Sequence, residues 1–464
     1  MSADLHRLLH EAARDEEAAA LREFPCTPET TRRYHRDVRR RRTAGGTALA
    51  AGVLGVAVVA VLGVGRPWQG APPVVTPEPT LDSPAPTPSP TPSPTVLGTV
   101  TEHPNLPEAR PLEAGLLAAA TPGWTLVRYD ATTGVGGEDP AVAAELVPGP
   151  QIVYLLAPDG ALYEAADLAA FGDDKTRVLD WAPGSSLVLL DVYPQGGAPE
   201  VLVADFETGT VVAEIPLGGA WPERARFTPS GDVVVATTDG PEAPARLERF
   251  DVSGRSLGTV VAALPESWVE TPRGWLVTPG DDAVVVGGEG IFAVVGWDGS
   301  IVTDLPVPDG VLGCRPGRWW PDGRLLAVCT DDLGAGEAGG RRVSENVWLV
   351  DVGGDSAPER LTHVVAPDLQ YDGIIDAWDI GGQRYAQWTG DCGAVALGRI
   401  DGGSFEPLVE GGYALAPRET GFLVERRVCG DPYADLVSVD LDGGVQVLVP
   451  RVGDAYGVLE VLPR

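Results

Sequence analysis

The sequence predicts an all-β body carried behind a single transmembrane helix, and three observations carry that prediction. Glycine and proline number 59 and 43 of 464 residues. That is heavy turn punctuation for a helical chain and ordinary for an all-β one. One uninterrupted uncharged stretch, 47–65, has the length of a membrane span. Beyond residue 98, short Val/Leu/Ile/Ala runs recur between Gly, Pro and Asp turns, with no long amphipathic helix among them. Apolar residues make up 44% of the chain, enough for a real core, which excludes wholesale disorder. The formal charge of −32 leaves no basic face to neutralise phosphates, which argues against a nucleic-acid binder.

Residues 1–46 read as a cytoplasmic tail. Ser2 is placed to cap a short helix whose Leu5, Leu8, Leu9 and Ala12 share one face, and Pro25 and Pro28 end the pattern. The stripe is narrow, so a frayed solvated helix is favoured over a docking helix. Arg32, Arg33, Arg36 and Arg39–Arg42 then form a basic cluster directly before the apolar run. Only Arg66 flanks the run on the other side, so the charge bias puts the N-terminus in the cytoplasm. The leader is too long for a cleaved signal peptide, which makes 47–65 an expected uncleaved signal anchor; a twin-Arg export signal is the alternative. Residues 66–97 are expected to be a linker. Eleven prolines between Pro67 and Pro94 favour polyproline II, a stalk that lifts the body off the membrane.

In the body, 98–464, internal similarity is the informative signal. A unit recurs in which an aromatic or apolar residue precedes a Pro, a Gly/Asp turn and an apolar strand. Its copies begin at Trp181, Phe227, Leu276, Trp319 and Leu415, with prolines at Pro183, Pro229, Pro279, Pro321 and Pro417. The segment from Trp378 fills the largest gap without the proline. The spacing, about 46 residues, fits four short antiparallel strands with their turns, which is one blade of a β-propeller. Blades are expected near 176–216, 222–262, 267–306, 312–362, 372–409 and 412–450. A first blade is built from Gly115–Ala120, Gly123–Asp130, Gln151–Ala157 and Gly160–Leu168. Tyr456–Leu462 is free to pair with that blade and close the ring. The expectation is therefore a seven-bladed β-propeller, with six blades as the alternative.

Arg318-Trp-Trp-Pro-Asp-Gly-Arg-Leu-Leu-Ala-Val328 resembles the W-x-P-D-G-x-x-L-A repeat of WD40-like, TolB-type propellers, the PD40 repeat. The other copies have lost the Asp or the Gly. The whole layout resembles membrane-anchored propeller proteins of actinobacteria. The resemblance implies the fold and hardly any function, because propellers host sensors, scaffolds and unrelated enzymes.

Cys314, Cys329, Cys392 and Cys429 all lie beyond the expected membrane span, where disulfides persist, whereas Cys26 is alone on the cytoplasmic side. Of the three possible pairings, Cys314–Cys329 and Cys392–Cys429 are expected. No CxxC or HxxxH spacing suggests zinc, and His103 and His363 have no nucleophile motif beside them. Gly334-Ala-Gly336-Glu-Ala-Gly339 matches GxGxxG without the strand–helix context of a dinucleotide site, and reads as a loop. Asp331, Asp332 and Glu337 in one segment and Asp372, Asp376 and Asp379 in another could offer oxygens to calcium, but solvated faces are the default for such an acidic body. The tryptophans read as blade-packing residues rather than a sugar platform. No catalytic residue, metal ligand or cofactor is therefore expected.

Two functional classes remain. The favoured one is a non-enzymatic, extracytoplasmic binding or scaffold module for an envelope protein, a wall polymer or a small ligand, held in the cell membrane by one helix. The alternative is an extracytoplasmic hydrolase or lyase using carboxylates in the propeller channel.

Overall fold

The computed structural model describes residues 96–97, 100–135, 145–172, 176–193, 198–239, 245–263, 274–288, 290–335, 341–354, 356–363, 373–389, 396–401, 404–418, 420–427 and 434–463. The expected tail, anchor and nearly all of the linker lie outside them. Among the described residues no helix is long and apolar enough to cross a membrane.

The described strands form five sheets, and along the pairing order they divide into successive antiparallel sets, with the bridge pairs Glu345–Gly373 and Ala434–Gly457 joining neighbours into the two larger sheets. The second spans 177–215, the third 221–261, the fourth 275–304, the fifth 311–360, the sixth 373–410 and the seventh 412–449. In each, four strands pair in simple chain order. The first set is made from both ends of the body. Ala455–Pro463 is its innermost strand, followed by Thr125–Val135, Gln151–Leu156 and Leu162–Asp167. Leu126 faces Leu462 and Val127 faces Val461 in that closing register. The pairing expected of Tyr456–Leu462 is thus present. A ring closed by a strand from the far end of the chain is a β-propeller.

The core shows why the strands are continuous apolar runs rather than alternating ones. Among the described residues there are seven hydrophobic clusters, and each lies between successive sets. Side chains alternate along a strand, so a sheet buried on both faces needs apolar residues at every position. Val233 and Val235 pack toward the second set, whereas Val234 and Ala236 pack toward the fourth. Val153 and Leu155 face the second set, whereas Ile152, Tyr154 and Leu156 face the seventh. This last cluster joins the two ends of the body.

Polar side chains tie neighbouring sets through backbone groups. Glu460 accepts from the Val178 amide at 2.7 Å, and Asp180 accepts from the Phe227 amide at 2.8 Å. Trp319 Nε1 donates to the Val277 carbonyl at 2.8 Å, and Gln387 Oε1 accepts from the Ala414 amide at 2.6 Å. Two glycines allow direct contact between sets. A Cβ on Gly457 would lie 2.6 Å from the Ala434 carbonyl oxygen, and one on Gly373 would lie 2.7 Å from the Glu345 nitrogen. Both glycines are bridge partners of those residues, so the close approach requires them.

Two expectations are corrected in the first set. Gly115–Ala120 is not a strand: Leu116–Ala119 forms a single helical turn after Gly115, whose φ is 78°. Leu117 is fully buried there, while the innermost strand comes from the C-terminal end instead. Val96–Leu97, expected as the end of the linker, pairs with Arg110–Glu113, which lies parallel to Leu162–Asp167 on the outer edge of the first set. Cys314 and Cys329 are disulfide-bonded partners directly opposite each other on adjacent strands. Cys392 and Cys429 lie outside the described residues.

Candidate functional site

The order of strands fixes two unlike ends. The first-to-second connections of the second to seventh sets and the third-to-fourth connections of every set leave from one end, and they are short. There the turns Pro183–Ser186, Pro229–Asp232 and Pro321–Arg324 carry the repeat, and aspartates close the chain on itself. Asp251 accepts from the Ser253 and Arg255 amides, Asp298 from Ser300, Asp322 from Arg324, and Asp440 from Asp442 and Gly444. These are side-chain-closed turns that aspartate favours. The second-to-third connections and the crossings to the next set leave from the other end. They include 136–144, 262–274, 361–372, 390–395 and 428–433. Binding residues concentrate on such connections when a rigid scaffold holds them.

At that second end the second and third sets bring a charged and aromatic group together. Arg177 opens the innermost strand of the second set and Trp221 that of the third. Arg177 Nε donates to Asp191 Oδ2 at 2.9 Å, with Nη2 on the same oxygen. Asp191 has no solvent exposure, whereas the Arg177 side chain is 44% exposed. The pair therefore fixes a guanidinium with one face toward solvent. Arg177 Nη2 also donates to the Tyr193 hydroxyl at 3.0 Å, and its charge lies 5.6 Å from that ring. Tyr193 in turn lies 6.4 Å from the Trp221 ring, tilted by 42°. Trp221 is 50% exposed, more than any other tryptophan among the described residues.

Glu223 completes the group. It sits at the bulge where the register of its strand shifts between Pro222 and Arg224. Burial pushes its carboxyl above the usual range, and Arg177 partly offsets this. No hydrogen bond to it is found among the described residues. The other inner-strand acids with raised pKa are engaged. Burial raises Asp180, whose carboxylate holds the Phe227 amide. Burial also raises Glu460, which holds Arg128 and the Val178 amide. The innermost strands together hold six arginines against five acids, in a chain with 66 acids and 34 basic residues. Among the described residues, the acidity thus lies mostly outside the innermost strands.

The acidic candidates for calcium are taken apart by the fold. Asp331 is buried, receiving Asn346 at 2.7 Å and the Arg360 guanidinium on the same oxygen. Asp332 is exposed and holds the Gly334 amide. Asp376 receives Arg318 at 3.1 Å, and Asp379 closes the turn at Gly382. Glu337 and Asp372 lie outside the described residues. Among the described residues no group of three or more His, Cys, Asp or Glu could hold a metal. His103 accepts from the Asn105 amide at 3.3 Å, beside an open cavity of about 890 Å³ formed by the run-in segment 100–111.

Most described tryptophans pack or stack between blades as expected. Arg249 lies 4.2 Å from the Trp297 ring, Arg318 5.7 Å from Trp378 and Arg224 5.7 Å from Trp275. Trp221 departs from that rule. It stands at the far end of its strand from Phe227, the repeat's own aromatic, and that displacement was the signal available in sequence.

No family model matches the chain, and no curated protein matches it. Among solved structures, similarity is found to the propeller domain of the trilobed protease of Pyrococcus furiosus, which has an open velcro topology. Identity there is 13%, over 70% of this chain and 92% of that one, with a TM-score of 0.40. TolB from Acinetobacter baumannii is 14% identical over 73% of this chain and 63% of its own, with a TM-score of 0.34. The acylaminoacyl peptidase of Pyrococcus horikoshii is 13% identical over 70% of this chain, with a TM-score of 0.41. The chain spans about half of that peptidase. These structures are propellers or contain them; the propeller assignment here rests on strand order, register and core.

Proposed function

We propose that this chain is a seven-bladed propeller displayed outside the cell membrane as a non-enzymatic binding or scaffold module. Residues 47–65 anchor it with the N-terminus in the cytoplasm, and 66–95 form its stalk. Its partner is an envelope protein, a wall polymer or a small ligand, met at the end that carries the long connections. The observation that carries this reading is the half-exposed Trp221 beside an immobilised Arg177 and a Glu223 that makes no hydrogen bond among the described residues, whereas the inner-strand acids Glu460 and Asp180 hold amides of the next set. A rigid frame with a few polar groups left unused is the general form of a recognition surface. A hydrolase or lyase would need two carboxylates free to act. Of the raised inner acids, Glu460 and Asp180 are already bound to amides, so Glu223 stands without a partner acid and the enzyme reading is the weaker one.

The test is crosslinking of the intact protein in its membrane, with mass spectrometry to identify what is caught. Crosslinks from residues beyond 98 to envelope proteins or wall fragments are expected. Crosslinks confined to residues 1–43 and a cytoplasmic regulator would contradict the reading. Peptide mapping without reductant is expected to find Cys392 joined to Cys429; the strands flanking them leave from the same end of neighbouring sets.

A further inference from the structure

Resting on the reading of this end as a binding surface, we propose that Trp221, Tyr193, Arg177 and Glu223 form a subsite for a neutral sugar of a cell-envelope polysaccharide. One pyranose ring would lie on the open face of Trp221, with hydroxyls on Glu223 and Arg177.

Chemical complementarity selects this ligand. An exposed indole offers an apolar platform of fixed orientation, and here Tyr193 braces it from the side. The polar groups around it are of opposite kinds. Glu223 only accepts hydrogen bonds when ionised, and Arg177 only donates. A hydroxyl does both, so a polyhydroxylated ring satisfies the two together while its C–H face covers the indole. Other occupants of an aromatic surface satisfy less. A proline-rich segment would cover the rings but has few N–H groups to give Glu223. A cationic side chain would suit Glu223 and the rings but would meet the guanidinium already lying 5.6 Å from Tyr193. Arg177 is pinned by a fully buried carboxylate, so it cannot swing away to admit a second cation. Half-buried Glu223, with no hydrogen bond among the described residues, also fits this ligand, because a hydroxyl restores the hydrogen bonds that burial removes.

The full-length protein in detergent would be applied to an array of neutral oligosaccharides, with two peptides alongside. One peptide copies residues 84–95 of the stalk, and the other is rich in lysine. Binding of at least one neutral oligosaccharide is expected, with neither peptide retained. Trp221→Ala should weaken that binding about tenfold or more, and Glu223→Gln by about fivefold. Trp221→Phe should restore part of the loss. Trp221→Ala should leave the melting temperature unchanged, since Trp221 is half exposed, and Glu223→Gln should leave it unchanged or raise it, since burial disfavours the ionised Glu223 carboxyl; if Trp221→Ala fails to fold, Glu223→Gln decides. Binding of no sugar, undiminished binding by both variants, or retention of a peptide instead would overturn the inference. If sugars fail while Trp221 still crosslinks to an envelope protein in the intact membrane, the sugar assignment alone falls. If neither is seen, the binding surface falls with it.

Discussion

The two ends of this propeller are made from the same kinds of residue used in opposite ways. At the turn end, carboxylates close short loops onto their own amides and are held in the ionised state. Asp251 is drawn down to about 2 by Ser253 and Arg255, and Asp298 and Asp322 are lowered by Ser300 and Arg324. On the inner strands and at the opposite end, burial raises Asp180, Glu223 and Glu460. The turn end satisfies its aspartates from within the chain. At the other end, no described residue bonds Glu223, and one face of Arg177 is open to solvent. What separates scaffold from site here is therefore which groups remain unbonded, rather than composition.

The largest effect should come from removing what both ends share. Truncating the chain before Ala455 deletes the innermost strand of the first set and uncovers Tyr129, Ile152 and Leu436 in the closing cluster. A loss of about 5 kcal/mol or more is expected, enough to abolish cooperative melting by calorimetry. If the second to seventh sets melted as before, closure would not be what holds the ends in place.

Next in size is the disulfide. Cys314 and Cys329 are 15 residues apart and lock the second strand of the fifth set onto the first. Replacing both with serine should lower stability by about 3 kcal/mol in denaturant titrations, through the chain entropy of a loop of that length. A change below about 0.5 kcal/mol would mean that the strand pairing alone fixes this sheet.

The opposed pKa shifts predict a pH profile with two limbs. Asp180, Glu223 and Glu460 have folded pKa values above their unfolded ones, so their contribution is complete at low pH and is lost as pH rises through the folded values. The aspartates of the turns have folded values below their unfolded ones, so their contribution is present at neutral pH. It is lost as pH falls from about 4 toward 2. The melting temperature should therefore rise on acidification from pH 7 to about 4.5 and fall steeply below about 3.5. Relief of repulsion in a chain of charge −32 adds to the upper limb. Glu460→Gln should flatten that limb, and Asp251→Asn should shrink the acid one.

The smallest effect sharpens the turn end itself. Asp281 is the one non-glycine residue with positive φ among the described residues, at 55°, in the turn position that Gly231 and Gly323 hold elsewhere. Its side chain accepts from the Ser230 amide at 2.9 Å, linking the turns of neighbouring sets. Asp281→Gly relieves the backbone and removes the link, two effects of about 1 kcal/mol and opposite sign. A net change within about 1 kcal/mol is expected by thermal melting; a larger loss would show that the turns are coupled more tightly than this bond implies.

Much of the architecture was legible because the repeat is carried by local chemistry. Pro183, Pro229, Pro279 and Pro321 mark the turn between first and second strands, and the runs after them are buried on both faces, as their unbroken apolar character implied. The set boundaries followed from that period. The first set was harder. Its innermost strand is separated from the rest by most of the chain, and the apolar look of Leu116–Ala119 concealed a helical turn set by Gly115. The site was not legible. Trp221 is marked in sequence only by standing off the repeat's own aromatic position; its exposure, like the lack of a hydrogen bond to Glu223 among the described residues, appears only in the fold. Both are properties of neighbours distant in sequence, such as Tyr193 and Arg177.

Whether one end recognises while the other supports is best decided by placing a photo-crosslinking residue at Trp221 or at Ser253 in the intact membrane-bound protein. A partner should be captured from position 221 and none from 253. Capture from 253 alone, or equally from both, would show that the division between the ends is wrong.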